Sequence, residues 1–237
     1  MKSKKNFEKD RFSFPGGDVE ITFLGHGTLM LDYSGKIIHV DPVKDFGNYA
    51  EIPKGDIILI THAHPDHLDK KALELASKED TTIILNPASR KKIGSGTSLK
   101  NGEKTTLGDI TIEAVPAYNV STAKKMFHPK DRDNGYIITF SGNSGGESEG
   151  GDSEERRIYI AGDTEPIPEM KELPEIEIAF LPMNLPFTMS PEQAAKAAEM
   201  IKPKVFYPYH FGKSDTEKLK KLMENTPEVE VRIRDLA

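Results

Sequence analysis

Short runs of apolar residues dominate the chain and predict strands rather than long helices. Residues 56–60 are almost entirely apolar and indicate a buried central strand, because a strand covered on both faces needs apolar side chains on both. The pair Ser34-Gly35 separates two of the runs and predicts a hairpin turn. The predicted strands are residues 19–24, 28–33, 36–40, 56–60, 81–85, 109–115, 135–140, 157–161, 177–181, 204–209 and 229–233.

Helical spacing of apolar residues predicts helices at residues 69–77, 190–201 and 215–225. The second has a clear start signal, since Ser190 and Gln193 suit a capping box around a proline in the first turn. Strands come first and then alternate with helices, and no internal repeat is visible. This order predicts an α/β fold in which two sheets pack face to face with helices outside.

The length of 237 residues suits one domain spanning residues 1–237. We interpret residues 1–17 as a polar N-terminal tail and residues 141–156, rich in Gly, Ser and Glu, as a flexible acidic loop. The N-terminus is basic without the apolar segment of a secretory signal, and no apolar run is long enough to span a membrane. A cytoplasmic location is therefore expected.

The composition limits which metal ligands and which substrates the protein could use. Hydrophobic residues make up 36% of the chain and charged residues 30%, as in ordinary folded proteins. The formal net charge of −6 disfavours non-specific nucleic-acid binding, which needs clustered cations, but it allows a small anionic substrate. The absence of cysteine excludes disulfides and thiolate ligands, so His and carboxylate groups would have to hold any metal.

The strongest chemical signal is the sequence Thr-His-Ala-His-Pro-Asp-His directly after the predicted central strand. His62 and His64 lie on the same side of an extended segment, because side chains alternate. The chain then turns at a proline, so that Asp66 and His67 can face a second point nearby. These groups suit Zn²⁺, Mn²⁺ or Fe, and there are more of them than one ion needs. Two divalent ions, with Zn²⁺ the first choice, would use the excess and could activate a water between them.

The spacing His-x-His-x-Asp-His after a buried strand resembles the signature of the metallo-β-lactamase superfamily of metal-dependent hydrolases, and the similarity extends over nearly the whole chain. The resemblance implies a four-layer αβ/βα sandwich with the active site at one sheet edge. It implies that Asp163 bridges two metals, that His210 is the final ligand and that Asp41 orients ligands. Residues 25–28, Gly-His-Gly-Thr, are similar to a motif of the branch that includes L-ascorbate-6-phosphate lactonase and N-acyl-phosphatidylethanolamine phospholipase D.

One ligand of this family is missing. The family supplies a third histidine to the first metal from a strand end that precedes Asp163, and the matching strand end here has Asn119 instead. Two readings stay open: Asn119 is a weak ligand or none, or His128 reaches in from the following loop. A first metal held by His62, His64 and Asp163 alone would be short of ligands, which favours a site role for His128.

The substrate is expected to be a small molecule. In the expected hydrolysis a hydroxide between the metals attacks an ester, lactone or phosphodiester bond. Lys130 and Arg132 could bind an anionic group, or they could be solvated loop charges. The expected catalytic residues are Asp66, Asp163 and His128, and the expected pocket residues are His26, Tyr118, Asn119 and Asn184.

Three alternatives remain open. A di-iron redox protein of this fold usually carries Glu at the position of His64 and an added flavodoxin domain. A nucleic-acid phosphodiesterase of this superfamily tends to carry an added domain or a basic arm. The third alternative is a non-catalytic metal-binding or regulatory module, because loss of the third histidine would weaken turnover.

Overall fold

Two seven-stranded sheets form the framework of the computed structural model, which describes residues 7–142 and 155–237. Each sheet follows chain order across its width. The first contains Lys9–Phe14 (β1), Gly17–Gly25 (β2), Thr28–Tyr33 (β3), Lys36–Val40 (β4), Gly55–Ile60 (β5), Ser77–Leu85 (β6) and Thr97–Ser98 (β7). The second contains Lys104–Leu107 (β8), Ile110–Ala117 (β9), Asp133–Ser141 (β10), Glu155–Ile160 (β11), Ile178–Pro182 (β12), Val205–Tyr209 (β13) and Glu230–Val231 (β14).

Helices cover the outer faces of both sheets. Leu73 lies in an apolar cluster on the outer face of the first sheet, whereas Phe23 and Phe180 pack between the sheets with ring centroids 6.5 Å apart. The resulting order of layers is that of the predicted αβ/βα sandwich, which is confirmed. The helices are Lys70–Ala76 (α1), Pro87–Ile93 (α2), Pro191–Ile201 (α3) and Thr216–Met223 (α4), with a 3₁₀ helix at Pro168–Lys171.

The apolar run in β5 is explained by these layers. Ile57 and Leu59 point into the core between the sheets, while Ile58 and Ile60 point outwards into the cluster beneath α1. Since side chains alternate along a strand, a strand covered on both faces is apolar at every position. The chain therefore leaves β5 from a rigid, fully buried position.

The carboxyl ends of parallel strands bring the conspicuous polar residues together. Strands β4 and β5 are parallel, and so are β11, β12 and β13. Asp41 directly follows β4, and His210 directly follows β13. Thr61 and Asp163 follow β5 and β11 within three residues. Groups at the carboxyl ends of parallel strands share one sheet edge, which is where α/β folds commonly place their sites.

The expected N-terminal tail contains a strand. Residues 9–14 form β1, which pairs antiparallel with β2. Strand β1 exposes the polar residues Lys9, Arg11 and Ser13. It therefore contains no run of apolar residues that would predict a strand. Asp10 points inwards, where it accepts hydrogen bonds from the Tyr207 hydroxyl and from Arg234 at 2.9 Å.

The expected acidic loop is shorter than residues 141–156. Ser141 pairs with Glu155 across β10 and β11, so both ends of that segment belong to strands. Residues 143–154 lie outside the described residues.

Helix α2 and the short strands β7 and β8 were not predicted. Helix α2 lacks an apolar stripe, but its ends have capping residues of the usual kinds. Asn86 caps the first turn by accepting from Ser89 N, and Gly94 ends the helix at φ 92°, a left-handed conformation that favours glycine. In the described part of the chain, no helix is long and apolar enough to cross a membrane.

We predict that Asp10→Asn destabilises the protein by about 1–3 kcal/mol, since hydrogen bonds to charged groups contribute about 1.5–3 kcal/mol. Burial opposes ionisation of Asp10, but the hydrogen bonds from Tyr207 and Arg234 outweigh it and lower its pKa below the ordinary 3.8. A lowered pKa in the folded state means that the contribution is complete above pH 3.8 and is lost as the pH falls through the folded value.

Thermal unfolding at pH 7 and at a series of acidic pH values measures this effect. Asp80→Asn is the control, because the Asp80 side chain is 80% exposed. A difference between wild type and Asp10→Asn that grows on acidification would contradict the assignment.

Candidate metal centre

Six of the seven histidines of the chain converge at the shared sheet edge, and all seven lie in the described residues. The exception is His39, whose Nε2 donates to the Pro53 carbonyl at 2.8 Å. Such convergence of imidazoles is costly unless a common partner satisfies their nitrogens. The six are His26, His62, His64, His67, His128 and His210.

The first group of donors consists of His62, His64 and His128, whose ligating atoms lie within 4.8 Å of one another. His62 Nε2 and His64 Nδ1 are 3.1 Å apart. Both lie in the segment that follows β5, just before the turn at residues 65–67. The His128 ring centroid lies 5.0 Å from that of His62 and 4.8 Å from that of His64.

The second group consists of Asp66, His67, His210 and His26, again within 4.8 Å. Asp66 Oδ2 lies 3.3 Å from His210 Nε2, 3.4 Å from His26 Nε2 and 3.9 Å from His67 Nε2. His26 thus joins a donor group, whereas the sequence suggested a pocket residue.

Asp163 lies between the two groups. Its Oδ2 is 3.4 Å from His128 Nε2 and 3.9 Å from His62 Nε2, which belong to the first group. It also faces the second group, with His67 Nε2 3.6 Å from Oδ1 and His210 Nε2 3.7 Å from Oδ2. One carboxylate is therefore shared between two sets of donors.

These separations fit metal ions. Bonds from Zn²⁺ to imidazole nitrogen or carboxylate oxygen measure about 2.0–2.2 Å, so two donors on one ion lie roughly 3–4 Å apart. Among the described residues, the buried atoms His67 Nε2 and Asp163 Oδ1 have no hydrogen-bond partner. Unpaired buried polar atoms are costly, and a cation between these two would satisfy both.

The electrostatics of the site also favour a cation. Burial opposes a charge on His67, but the carboxylates of Asp163 and Asp41 outweigh it and raise the pKa of His67 to about 9. Burial likewise opposes ionisation of Asp163, yet the charges of His210 and His67 lower its pKa. Burial is the main reason that the pKa of His62 lies well below its usual range, which keeps this imidazole neutral. The site thus stabilises positive charge, and at His62 it offers a neutral nitrogen ligand.

Asp41 holds the ligand-bearing segment in place. Its carboxylate accepts hydrogen bonds from Thr61 N at 2.8 Å, Thr61 Oγ1 at 2.6 Å and His67 Nδ1 at 2.8 Å. The bond to Nδ1 fixes the imidazole so that Nε2 faces the centre, as carboxylates behind metal-binding histidines do. This position agrees with the ligand-orienting role that the family resemblance implied for Asp41.

His128 lies among the donors. Asn119 Nδ2 donates to the carbonyls of Lys124 at 3.1 Å and Phe187 at 2.8 Å. The chain leaves β9, makes a loop and returns, and the Asn119 N–H donates to the His128 carbonyl at 2.8 Å. The loop therefore brings a third imidazole beside His62 and His64, and the expected pocket role of Asn119 stays a prediction.

This loop is stabilised by two carboxylates, Asp133 and Glu165, that were not predicted from the sequence. Asp133 accepts a hydrogen bond from His128 Nδ1 at 3.2 Å and orients its ring. Glu165 is fully buried and accepts from the backbone and hydroxyl of Ser121, from Gln193 Nε2, and from Lys124 in an ion pair of 2.9 Å. Burial opposes ionisation of Glu165, but these partners lower its pKa to about 2. Glu165 lies two residues after Asp163, and this spacing is the only feature of the sequence that could have indicated its role near the centre.

The remaining candidates occupy the surroundings of the centre. Tyr118 is buried and its hydroxyl donates to Glu169, so the hydroxyl is not offered to a pocket at the centre. Asn184 is half-buried beside the turn that follows His210. Lys130 pairs with Glu169 at 3.1 Å, and Arg132 pairs with Asp133 at 2.7 Å. The two cations are thus committed to carboxylates, which weakens the expectation of an anion site.

Comparisons with known proteins agree with this geometry. The sequence profile of the Beta-lactamase superfamily domain matches residues 20–210. A UPF0173 metal-dependent hydrolase from Thermococcus kodakarensis is 32% identical over 229 residues, which cover 89% of this chain and 95% of the relative. A similar protein from Thermococcus onnurineus is 33% identical over 230 residues, with 89% and 95% covered.

Solved structures agree as well. A protein from Parabacteroides distasonis described as a metal-dependent hydrolase has a TM-score of 0.90 and 49% identity, covering 98% of this chain and 100% of its own. The metallo hydrolase Igni18 from Ignicoccus hospitalis shares the fold, with a TM-score of 0.72, 24% identity, and coverage of 92% and 96%. The narrower resemblance to the lactonase and phospholipase branch stays a prediction. The chain is therefore a metal-dependent hydrolase of the metallo-β-lactamase superfamily, and its relatives are the UPF0173 metal-dependent hydrolases.

Proposed function

We propose that this protein uses two divalent metal ions, with Zn²⁺ the first choice, to hydrolyse an ester, lactone or phosphodiester bond of a small substrate. The observation that carries the proposal is the position of Asp163 between the two donor groups, where it clusters with His62 of the first and His67 of the second. Two ions about 3.5–4 Å apart are typical of such hydrolytic centres. The first ion would be held by His62, His64 and His128, and the second by Asp66, His67 and His210.

The residues of the chain have distinct tasks in this proposal. When bound, the ions supply Lewis-acid polarisation of the scissile bond and a water of lowered pKa as the nucleophile. Asp163 would keep the two positions at a fixed separation and balance their charge. Asp41 and Asp133 hold protons on the Nδ1 atoms of His67 and His128, so that both Nε2 atoms stay free as ligands.

The position of His128 also bears on the alternatives. A non-catalytic module was favoured by the missing third histidine, and His128 supplies a donor at that place. A nucleic-acid phosphodiesterase would need several free cations near the centre, whereas Lys124, Lys130 and Arg132 are paired with carboxylates and Lys92 donates to the Ala63 carbonyl at 2.7 Å. These observations favour hydrolysis of a small substrate.

Exposed apolar side chains on two segments that adjoin the centre along the chain indicate the character of that substrate. Four of the five large apolar side chains that are exposed in the described residues lie on two segments, one leading to His128 and one preceding α3. The segments are joined where Asn119 donates to the Phe187 carbonyl. We define the apolar rim as Val120, Met126, Leu185 and Phe187. Exposed apolar patches commonly bind apolar groups, which favours an ester or lactone with a hydrocarbon substituent.

His128→Ala is expected to lower the metal content of the purified, metal-loaded protein from about two ions per chain to about one. The reason is that the first position would keep only two histidines and the shared carboxylate. Inductively coupled plasma mass spectrometry measures the ratio. His39→Gln is the matched control, because it removes a histidine outside the centre and keeps a donor for Pro53. An unchanged content of two ions in His128→Ala would assign His128 to substrate binding instead.

Hydrolytic activity is tested with a panel of p-nitrophenyl esters, a γ-lactone and bis(p-nitrophenyl) phosphate. The metal-loaded wild type should cleave at least one class, and His62→Ala should lower kcat/KM by at least about 10²-fold, since loss of support for a metal ligand alone costs about 10–100-fold. His39→Gln should retain the activity. Failure of the loaded wild type on every class would favour the non-catalytic module.

The apolar rim predicts a dependence on acyl chain length. From acetate to octanoate, KM for p-nitrophenyl esters should fall by up to about fourfold per methylene, because each buried methylene contributes about 0.8 kcal/mol. The double variant Met126→Ser, Phe187→Ser should flatten this trend, while Leu75→Ser, which changes an exposed leucine on α1, should keep it. A trend that survives in the double variant would exclude the rim as the binding surface.

A further inference from the structure

His26 lies beside the donors of the second group, although the family resemblance did not imply that it is a metal ligand. Its side chain is only 16% exposed, and its Nε2 lies 3.4 Å from Asp66 Oδ2. That distance matches the 3.3 Å between His210 Nε2 and the same oxygen, and it is shorter than the 3.9 Å from His67 Nε2. Three imidazole nitrogens therefore surround one carboxylate oxygen.

The backbone is shaped to put the ring there. His26 adopts φ 54°, a left-handed conformation that is rare outside glycine and is characteristic of functional sites. Gly27 lets the chain approach His67, because a Cβ at this position would lie 2.9 Å from the His67 ring. The His26 carbonyl accepts a hydrogen bond from His210 N at 3.1 Å, so the two residues are fixed to each other.

The ring itself is held by its neighbours. Phe46 stacks on it with centroids 5.2 Å apart and an interplanar angle of 15°. The His210 ring also contacts it, at a centroid distance of 3.8 Å. A solvated surface histidine would not pack against two aromatic rings in this way.

The identity of the contacted oxygen distinguishes a ligand from a residue that merely orients Asp66. An orienting hydrogen bond would be expected on the carboxylate oxygen that faces away from the ion. His26 instead approaches Oδ2, the oxygen that also faces His210 and His67. Its separation of 3.4 Å is longer than the usual 2.7–3.2 Å of an N–H···O bond, and it suits two donors on a common cation.

We infer that His26 is a fifth protein ligand at the second metal position, beside Asp66, His67, His210 and the shared Asp163. This inference rests on the proposed two-metal function. It makes the two positions unequal, because the first has three histidines and Asp163, and the second has one donor more. Catalytic metal sites keep an open coordination position. The first position therefore has more room for substrate, and the second has the larger share of protein ligands.

The test compares three substitutions at one position. His26→Ala removes the donor, His26→Gln keeps a hydrogen-bond donor for Asp66 but is a poor metal ligand, and His26→Glu, of the same size as Gln, restores a ligand. Apo protein is titrated with Zn²⁺ against a chromophoric chelator to obtain both dissociation constants. The visible spectrum of the Co²⁺-loaded protein reports the ligand field at each position.

We expect the wild type to bind two ions. His26→Ala and His26→Gln should weaken one of the two affinities by at least about tenfold and alter the Co²⁺ bands, while His26→Glu should recover most of the affinity. Phe46→Leu is the control for altered packing around the ring and should change the affinity less than His26→Gln does. Circular dichroism and thermal unfolding of each apo variant show whether it is folded.

The failures can be told apart. If His26→Gln binds both ions as tightly as the wild type, His26 orients Asp66 and is not a ligand, and the inference is overturned. If His26→Ala also leaves both affinities and the Co²⁺ spectrum unchanged, His26 has no part in metal binding. If the folded wild type itself binds fewer than two ions, the proposed function fails, whatever the variants do.

Discussion

Asp163 has only 3% of its side chain exposed, and its carboxylate faces ring nitrogens of four histidines at 3.4–3.9 Å. A buried charge is tolerated only when compensating charge and hydrogen bonds surround it. Much of the centre follows from this constraint. The imidazoles must present nitrogen towards a common space, and for two of them a carboxylate behind the ring keeps the other nitrogen protonated. Asp41 does this for His67, and Asp133 does it for His128.

The fold meets this constraint at the edge where both sheets end. Rigid strands such as β5, buried on both faces, end directly before the polar segments and limit their movement. Three residues of the centre, His26, Asp41 and His210, adopt left-handed backbone conformations at φ 43–54°. Such conformations cost about 1–3 kcal/mol each and persist only where the surrounding structure enforces them. The extensive core between the sheets can offset that cost.

The features that could be predicted from sequence are those encoded locally. The four donors between residues 62 and 67 lie in one segment, and apolar runs identified eleven of the strands because strands of this fold are mostly covered by other layers. Strand β1 was missed because its exposed face is charged. Helix α2 was missed because it has caps but no apolar stripe.

The features that could not be predicted depend on tertiary contacts. Sequence alone left Asn119 and His128 as alternatives, since only the closure of the loop between them brings His128 beside His62 and His64. Glu165 and Asp133 act through that loop, and neither belongs to a recognisable spacing. His26 is adjacent to His210 only because the ends of β2 and β13 meet, so its contact with Asp66 had no counterpart in the pattern of residues.

Anomalous diffraction from crystals of the metal-loaded protein, collected on both sides of the zinc absorption edge, tests the central claim most directly. The account predicts two anomalous peaks about 3.5–4 Å apart, one beside His62, His64 and His128, the other beside Asp66, His67 and His210, with Asp163 contacting both. A single peak at full metal loading, or two peaks that do not share Asp163, would contradict it.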